Sequence, residues 1–499
     1  QTIDGNTANA HRLTLNGGGN RAAIAVEGAI GASMPLKTLM VDNSESTTFT
    51  GPVTTGTSVV LNDTGLGIAL NGGLTTPTLT VAAQSFDLTM RGNVNVTNAV
   101  TLANTGHVQL GTAATNNLYF AGGLVATAPN AIDMAGVLRT NNQAMVLGRS
   151  GVGITLLANT DVNTGSGSVN LASSVSAGEN NYVLRLLSTG ATTVDGNLTS
   201  AGDLSFVGPV TFNSANATVN AASMTFGGAV TALGNLTIHG PTLVNGGSVN
   251  SGGFTQAYDG DVTVGGAGPT TTFTGVGITF GAALNGTGRV VVADSGNTTY
   301  TGPIGMGAAP LHFETDAAGS STFSGGTVRT SGPNSMLIAD DVVVTTHTTF
   351  DTTNNGGLPA GANITFGKTL NGSGNNAQSV TLNAGTAGVV QITGTVGNTH
   401  PLSTLTLVNS HGATFSSAVT TGTSVVLSDT SDGQTIRFAG NLSTPLLTTA
   451  AKPYVLELLG SSTQVTGPLS TEFLNTGALV LGDAAADSLT FTGGLVVTA

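Results

Sequence analysis

The sequence predicts an all-β protein in which residues 1–499 form one continuous β-solenoid of roughly 25 coils, with little or no helix. Three observations lead to this prediction. A long segment near the start of the chain recurs near its end. Short apolar runs alternate with polar residues along the whole length, and the composition is uniform and carries very little charge. Together these features are typical of a repeat protein whose coils stack on one another.

The recurring segment is the most specific of these observations. Thr54–Thr64 reads TTGTSVVLNDT and Thr420–Thr430 reads TTGTSVVLSDT, so the two differ at one position of eleven. Asn104–Ala128 matches Asn475–Ala499 with 15 of 25 residues identical. Near-copies of this length indicate an extended repetitive object, since a single catalytic site would not require them.

The near-copies divide the chain into three parts. A first copy covers residues from about 13 to 128, a second covers about 380 to 499, and residues 129–379 are the intervening part of the same long repeat. We expect the repeating object to continue past both ends, either covalently or by stacking head to tail on another copy.

The apolar runs have a period of two, as pleated strands require. Val94–Val96 and Leu204–Phe206 each place two apolar side chains on one side of the backbone and a polar one on the other. The runs are separated by turn signals such as Asn16–Gly17. The most helix-like stretch, Tyr182–Ser188, is short and has glycines nearby. The pattern therefore predicts many short strands.

Short strands with frequent turns also suit β-sandwiches or a barrel, but several features favour the solenoid. No linker marks a domain boundary, and Trp is absent, whereas immunoglobulin-like domains usually contain a core aromatic. Charged residues are 7% of the chain, which suits ladders of like side chains that would repel if charged. A weaker inner echo, in which Ile278–Gly288 recurs as Ile364–Gly374, indicates a submodule of several coils.

Charge and composition exclude several classes of function. The net charge is −13 and the lysines are only Lys37, Lys368 and Lys452, so the basic clusters that bind nucleic acid or anionic membranes are absent. Without Cys, disulfides, thiolate zinc sites and Cys nucleophiles are excluded. No apolar run reaches the roughly 18 residues that span a bilayer. The N-terminal segment has no signal-peptide pattern, so we expect a secretion signal to lie upstream or to have been removed.

Two blocks carry a family resemblance. Gly394–Gly397 is followed by Pro401–Leu402 and Leu405–Leu407, and Thr414–Phe415 is followed by Val419–Gly422. With the Leu-Asn-Gly turns, these blocks resemble very large bacterial β-strand-repeat surface proteins of the filamentous-haemagglutinin and autotransporter-passenger type. The resemblance implies a right-handed parallel β-helix, secretion to the bacterial cell surface, and a role in adhesion, biofilm or surface coats.

No pattern predicts a catalytic, cofactor-binding or metal-binding residue. The histidines lack the spacing of a metal site; they are His11, His107, His239, His312, His347, His400 and His411. The densest acidic spots are Asp259 with Asp261, Asp340 with Asp341, and Asp429 with Asp432. We interpret them as turn residues, with loose calcium binding or catalysis as alternatives. The glycine-rich Asn16–Asn20 is interpreted as a turn because no Gly-Lys-Ser/Thr sequence follows.

Without a predicted site, the repeat becomes the main guide to function. We predict a structural or adhesive extracellular fibre or cell-surface filament, in which a rigid β-solenoid rod continues or stacks end to end. The expected partners are copies of the chain itself, end to end and laterally, and cell-surface or matrix glycans; nucleic acid and a direct membrane span are not expected. Two alternatives stay open, a glycan-binding or glycan-degrading β-helix enzyme and a phage or virus fibre.

Overall fold

The computed structural model describes residues 1–266 and 270–498. These residues form parallel strands stacked into a β-solenoid of about 22 turns, which confirms the predicted fold class. No helix occurs in the described part of the chain, so none there could cross a membrane. The chain divides into two compact units, Gln1–Gly240 and Pro241–Ala499.

In the first unit, successive turns contribute strands to three stacks, named A, B and C, in which neighbours pair in parallel. Stack A contains Ile24–Val26, Ser46–Phe49, Gly67–Leu70, Asp87–Met90, His107–Leu110, Ala131–Arg139, Ile154–Asn163, Val175–Ser176, Leu198–Thr199, Asn216–Asn220 and Asn235–His239. Stack B contains Val53–Leu61, Leu74–Thr76, Asn93–Val96, Asn117–Phe120, the second halves of Ala131–Arg139 and Ile154–Asn163, Leu184–Leu186, Leu204–Phe206 and Met224–Phe226. Stack C contains Arg12–Asn16, Leu36–Asn43, the second half of Val53–Leu61, Thr78–Val81, Val100–Thr101, Leu124–Ala126, Met145–Leu147, Val169–Leu171, Thr192–Val194, Val210–Phe212 and Val230–Ala232.

The second unit also has three stacks of parallel strands, named D, E and F. Stack D contains Ser248–Asn250, Thr270–Gly275, Arg289–Asp294, His312–Thr315, Met336–Ile338, Ile364–Phe366, Val390–Ile392, Ala413–Phe415, Thr435–Phe438, Val455–Leu458 and Leu479–Leu481. Stack E contains Gln256–Tyr258, Ile278–Phe280, Asn297–Tyr300, Ser320–Phe323, Asp341–Val344, Leu370–Gly372, Val419–Leu427, Leu442–Thr444, Ser462–Val465 and Ser488–Phe491. Stack F contains Thr242–Val244, Val262–Val264, Leu284–Gly286, Thr327–Arg329, Thr348–Asp351, Val380–Asn383, Leu402–Asn409, the second half of Val419–Leu427, Leu446–Thr449, Thr471–Phe473 and Leu495–Val497.

The solenoid has fewer turns than the sequence predicts because many turns are longer than the assumed length of about 20 residues. Hydrogen bonds between adjacent turns join residues 18 apart at Asn213 and Asp195, but 28 apart at Thr369 and Asp341. Longer turns contain exposed loops, and in one of them Asn355 adopts a positive φ of 57°.

The predicted alternation is present in the strands. In Val94–Val96 and Leu204–Phe206 the two outer residues are buried in the core and the middle residue faces outward. The most helix-like stretch of the sequence instead contains the strand Leu184–Leu186, with the same pattern. Parallel pairing with the neighbouring turns therefore decides its structure, since short segments have weak preferences of their own.

Aromatic side chains form columns inside the second unit. The rings of Tyr258, Phe280, Tyr300 and Phe323 stack nearly parallel, with successive centroid distances of 5.4, 5.5 and 4.8 Å. In-register pairing places side chains of the same position one turn apart, about 4.8 Å along the axis, so flat rings meet face to face. The column thus follows directly from the register of the turns.

Buried hydroxyl pairs cross between turns, and both copies of the repeat contain them. The hydroxyls of Thr55 and Thr76 lie 2.7 Å apart, as do those of Thr421 and Thr444. In each copy the second threonine also donates to a backbone carbonyl two residues later, at 3.0 Å. The repeat therefore preserves hydrogen bonds in the interior, where an unpaired hydroxyl would destabilise the fold.

A glycine with positive φ is the second feature that the copies share. The φ angle is 69° at Gly31 and 68° at Gly397. In both places the next turn approaches so closely that an added Cβ would lie 2.2 Å from a carbonyl oxygen, that of Thr54 or Thr420. Only glycine satisfies both the dihedral angle and the close approach.

The two copies of the inner echo lie in different stacks of the solenoid. Ile278–Phe280 lies in stack E, whereas its echo Ile364–Phe366 lies in stack D. Likewise Leu284–Gly286 lies in stack F and its echo Leu370–Gly372 in stack E. The same sequence therefore forms strands on different sides of the solenoid, because the chain between the two copies does not complete a whole number of solenoid turns. The echo marks a reused strand-and-turn pattern and not a submodule of stacked coils.

Replacing the shared glycine should destabilise the second unit measurably. We expect Gly397→Ala to lower the free energy of unfolding by about 2 kcal/mol or more, from the left-handed backbone penalty plus the contact with the next turn. Chemical denaturation measures the change. Gly433→Ala is the matched control, because Gly433 has a φ of 74° but open space around it. An equal loss in both variants would contradict the role of the close approach.

Candidate functional site

Asp340 and Asp341, which are adjacent in sequence, lie on opposite sides of the backbone. The buried Asp340 carboxylate accepts hydrogen bonds from the hydroxyls of Thr315 and Ser321, both at 2.7 Å. The half-buried Asp341 accepts from the backbone N–H and the hydroxyl of Thr369, at 3.2 and 2.6 Å. The two carboxylates therefore do not share a site, as period-two geometry requires.

The other acidic pairs lie at turns on the surface. Asp259 and Asp261 are exposed, and Asp261 accepts a hydrogen bond of 3.0 Å from a backbone N–H of the next turn. Asp429 forms an ion pair of 3.3 Å with Lys452, whereas Asp432 is exposed. These placements agree with the interpretation of the aspartates as turn residues.

The histidines are dispersed along the solenoid. His107 lies 2.9 Å from a carboxylate oxygen of Asp133 on the next turn, and the buried His312 lies 2.9 Å from Glu314. His400 lies 3.0 Å from the amide oxygen of Asn375. Within residues 1–266 and 270–498, no three His, Cys, Asp or Glu side chains converge so as to hold a metal ion.

A buried polar corner of the second unit was not expected from the sequence. Asp294 is 3% exposed, and its two carboxylate oxygens accept four hydrogen bonds. The N–H groups of Gly277 and Gly296 donate to one oxygen, at 2.7 and 2.9 Å. The N–H of Ile278 and the hydroxyl of Thr298 donate to the other, both at 2.8 Å. With its lone pairs occupied in this way, the carboxylate ties adjacent turns together.

Burial raises the pKa of several acidic groups around Tyr300, which lies near both Asp294 and Asp340. Burial raises the pKa of Asp340, against the opposing effect of its hydroxyl donors, and burial also raises the pKa of Asp316. For the fully buried Tyr300, burial and the nearby charges of Asp340 and Asp294 raise the pKa well above its ordinary value, so the phenol stays protonated. A sequence signal for the corner exists at Asp294, where the next residues are Ser and Gly, a common turn combination.

An open groove of about 430 Å³ lies on the surface of the first unit. The guanidinium of Arg185 donates two hydrogen bonds of 2.6 Å to Asp161, and these hydrogen bonds, together with the charge of Asp161, raise the pKa of Arg185. Nearby, Ser223 donates to Asp203 at 2.6 Å, and Asn159 also lines the groove. Sequence reasoning missed this site because Asp161 and Arg185 are 24 residues apart and meet only through the stacking of turns.

Comparisons with protein-family models, with curated proteins and with solved structures find no match to this chain. The resemblance to bacterial β-strand-repeat surface proteins therefore stays a prediction. Function must be inferred from the residues and their geometry, since fold alone does not specify it.

Burial of Asp340 should make the stability of the folded chain depend on pH. Because the folded-state pKa of Asp340 is raised above 3.8, its contribution to stability is present at lower pH and is lost as the pH rises through the raised pKa. We expect Asp340→Asn to show a smaller fall in the denaturation midpoint between acidic and neutral pH than the parent chain. Ser320→Ala, a change at a half-buried position without a titrating group, should keep the parental pH dependence. Identical profiles for Asp340→Asn and the parent would contradict this assignment.

Proposed function

We propose that this chain is a structural or adhesive protein of an extracellular fibre or cell-surface filament and acts as a rigid β-solenoid rod. The observation that carries the proposal is what the two repeat copies retain. They keep the buried threonine pairs and the close-approach glycine, at Gly31 and Gly397, with nearly the same dimensions. Residues that hold the turns together are thus preserved between copies.

Surface partners change between the copies. Asp63 in the first copy and Asp429 in the second occupy matching positions, yet Asp63 pairs with Arg21 and Asp429 with Lys452. Arg21 precedes its aspartate in the chain, whereas Lys452 follows it. The exposed Lys37 is replaced by Ser403 in the second copy. This pattern supports a function that resides in the scaffold, since a conserved surface site would need its side chains in both copies.

The interior supports mechanical rigidity. Parallel backbone ladders join successive turns, and aromatic columns and buried hydroxyl pairs add to them at some turns. In a solenoid every turn contacts mainly the turns beside it, so such contacts add up along the axis. Repeated stiff contacts of this kind suit a rod that bears load or displays surface over a distance.

The outer surface supports self-association. Outward-facing positions carry many Thr, Ser and Asn side chains, as in the in-register row Thr193, Thr211 and Thr231 of stack C. Such rows present little charge that would repel a neighbouring rod. An exposed edge of a stack presents unpaired N–H and C=O groups with which a strand of another copy can pair. We therefore propose copies of the chain as partners, both end to end and side by side.

An extracellular location on a bacterial cell surface is part of the same proposal. It is supported by the absence of Cys, which avoids mispairing under oxidising conditions, and by the family resemblance. The groove near Arg185, which Asp161 and Asp203 also line, suits glycan binding.

Electron microscopy and sedimentation velocity test the proposed rod. We expect the purified chain to form straight unbranched rods, and association to increase with protein concentration and with salt, which screens the net negative charge. The double variant Thr211→Glu/Thr231→Glu should weaken lateral association, because it adds negative charge to the outer face of a chain whose net charge is already −13, and that charge repels a neighbouring rod. The double variant Thr211→Ser/Thr231→Ser is the control. Two results together would overturn the proposal. The purified chain would stay a compact monomer at every concentration, and an antibody against it would label no surface filaments on the source cells.

A further inference from the structure

The outer face of stack B carries two parallel rows of side chains. Each row runs along the solenoid axis, and neighbours within a row are one turn, or about 4.8 Å, apart. The first row contains Thr75, Asn95, Tyr119 and Arg139. The second contains Asn117, Val137, Asp161, Arg185, Ser205 and Thr225. The two rows form one face because the residues between them, such as Leu118, point into the core.

Tyr119 gives this face an outward-facing aromatic ring. The guanidinium carbon of Arg139, one turn away, lies 5.4 Å from the ring centroid. In the described part of the chain, neither a hydrogen bond nor an ion pair joins this guanidinium to another side chain. Most aromatic rings of the molecule are buried in the core. A half-exposed ring held by a cation is therefore unusual here, and it stays available for contact with a ligand.

The groove continues this face. Asp161 and Arg185 are fixed by their two mutual hydrogen bonds, and Asp203 is held by Ser223. The mutual bonds preorganise the side chains, yet each carboxylate keeps free lone pairs and Arg185 keeps unused N–H donors. An acceptor, Asp161, and a donor, Arg185, thus follow each other one turn apart along the axis.

We propose that this face of the first unit binds a neutral polysaccharide that lies along the solenoid axis. Hydroxyl groups of a sugar both donate and accept, which matches the presence of guanidinium, carboxylate and amide groups on this face. The apolar side of a sugar ring can pack on Tyr119. A polymer with regularly repeated units also suits regularly spaced groups, because several weak contacts then act together.

The charge balance of the face selects a neutral ligand. The positive charges of Arg139 and Arg185 are matched by the negative charges of Asp161 and Asp203. An acidic polysaccharide would meet two carboxylates and a chain of net charge −13. A peptide cannot bind here by adding a strand, because the strands of this region are paired on both sides.

This inference deepens the adhesive part of the proposed function and rests on it only there. Affinity electrophoresis of the full chain in gels that contain a soluble β-glucan, an α-glucan or a galactomannan tests it, with alginate as the acidic comparison. We expect retardation by at least one neutral polymer and none by alginate. Tyr119→Ala and Arg185→Ala should each raise the dissociation constant about tenfold, the effect of losing one central contact. Tyr119→Phe should retain most of the binding because it keeps the ring.

Arg437→Ala is the matched control, because Arg437 makes an equivalent cross-turn ion pair with Glu457, at 2.6 Å, in the second unit. It should bind as the parent chain does. Absence of retardation by every neutral polymer, retardation by alginate alone, or an equal loss in Arg437→Ala would each overturn the inference. Thermal denaturation of each variant separates lost binding from lost folding. If no polysaccharide binds, electron microscopy can still show rods and surface filaments. Failure of this inference is therefore distinguishable from failure of the proposed function.

Discussion

In-register parallel pairing between successive turns is the constraint on which the rest of this structure depends. Within the stacked strands, a side chain has in-register side chains of the adjacent turns about 4.8 Å above and below it, so side chains of one kind must pack on each other. Flat rings meet this condition by stacking, as at Phe280 and Tyr300, and threonines meet it by bonding to each other, as at Thr55 and Thr76. Charges of the same sign would repel each other at this spacing, which explains why only 7% of the residues are charged.

The few charges follow the same rule. The in-register charged pairs Asp161 with Arg185 and Arg437 with Glu457 join opposite signs. In the interior a carboxylate is tolerated only when backbone N–H and hydroxyl groups surround it, as around Asp294. Glycine serves where two turns approach too closely for any side chain. In these examples the departure from the apolar, uncharged pattern is compensated by groups of the same or an adjacent turn.

The division between scaffold and surface connects this constraint with function. Core and turn positions are held by their neighbours in two directions, so a substitution there disturbs several turns at once, whereas outward positions are free to differ. The copies of the repeat diverge at such outward positions. A solenoid can therefore keep a constant rod and vary the chemistry of its faces, which is the arrangement inferred for stack B of the first unit.

The sequence by itself determined the class of fold and the composition of the core. Period-two runs such as Val94–Val96 specify strands, and near-copies far apart specify a repeat, because both depend on local spacing. Only the tertiary structure decided the number of turns, the stack in which Ile278–Phe280 and its echo lie, and the meeting of Asp161 with Arg185. Those features depend on turn length, which varies from loop to loop, and on the register that each turn takes from its neighbour. Residues one turn apart are close in space but more than fifteen positions apart in the chain, so no local pattern records their contact.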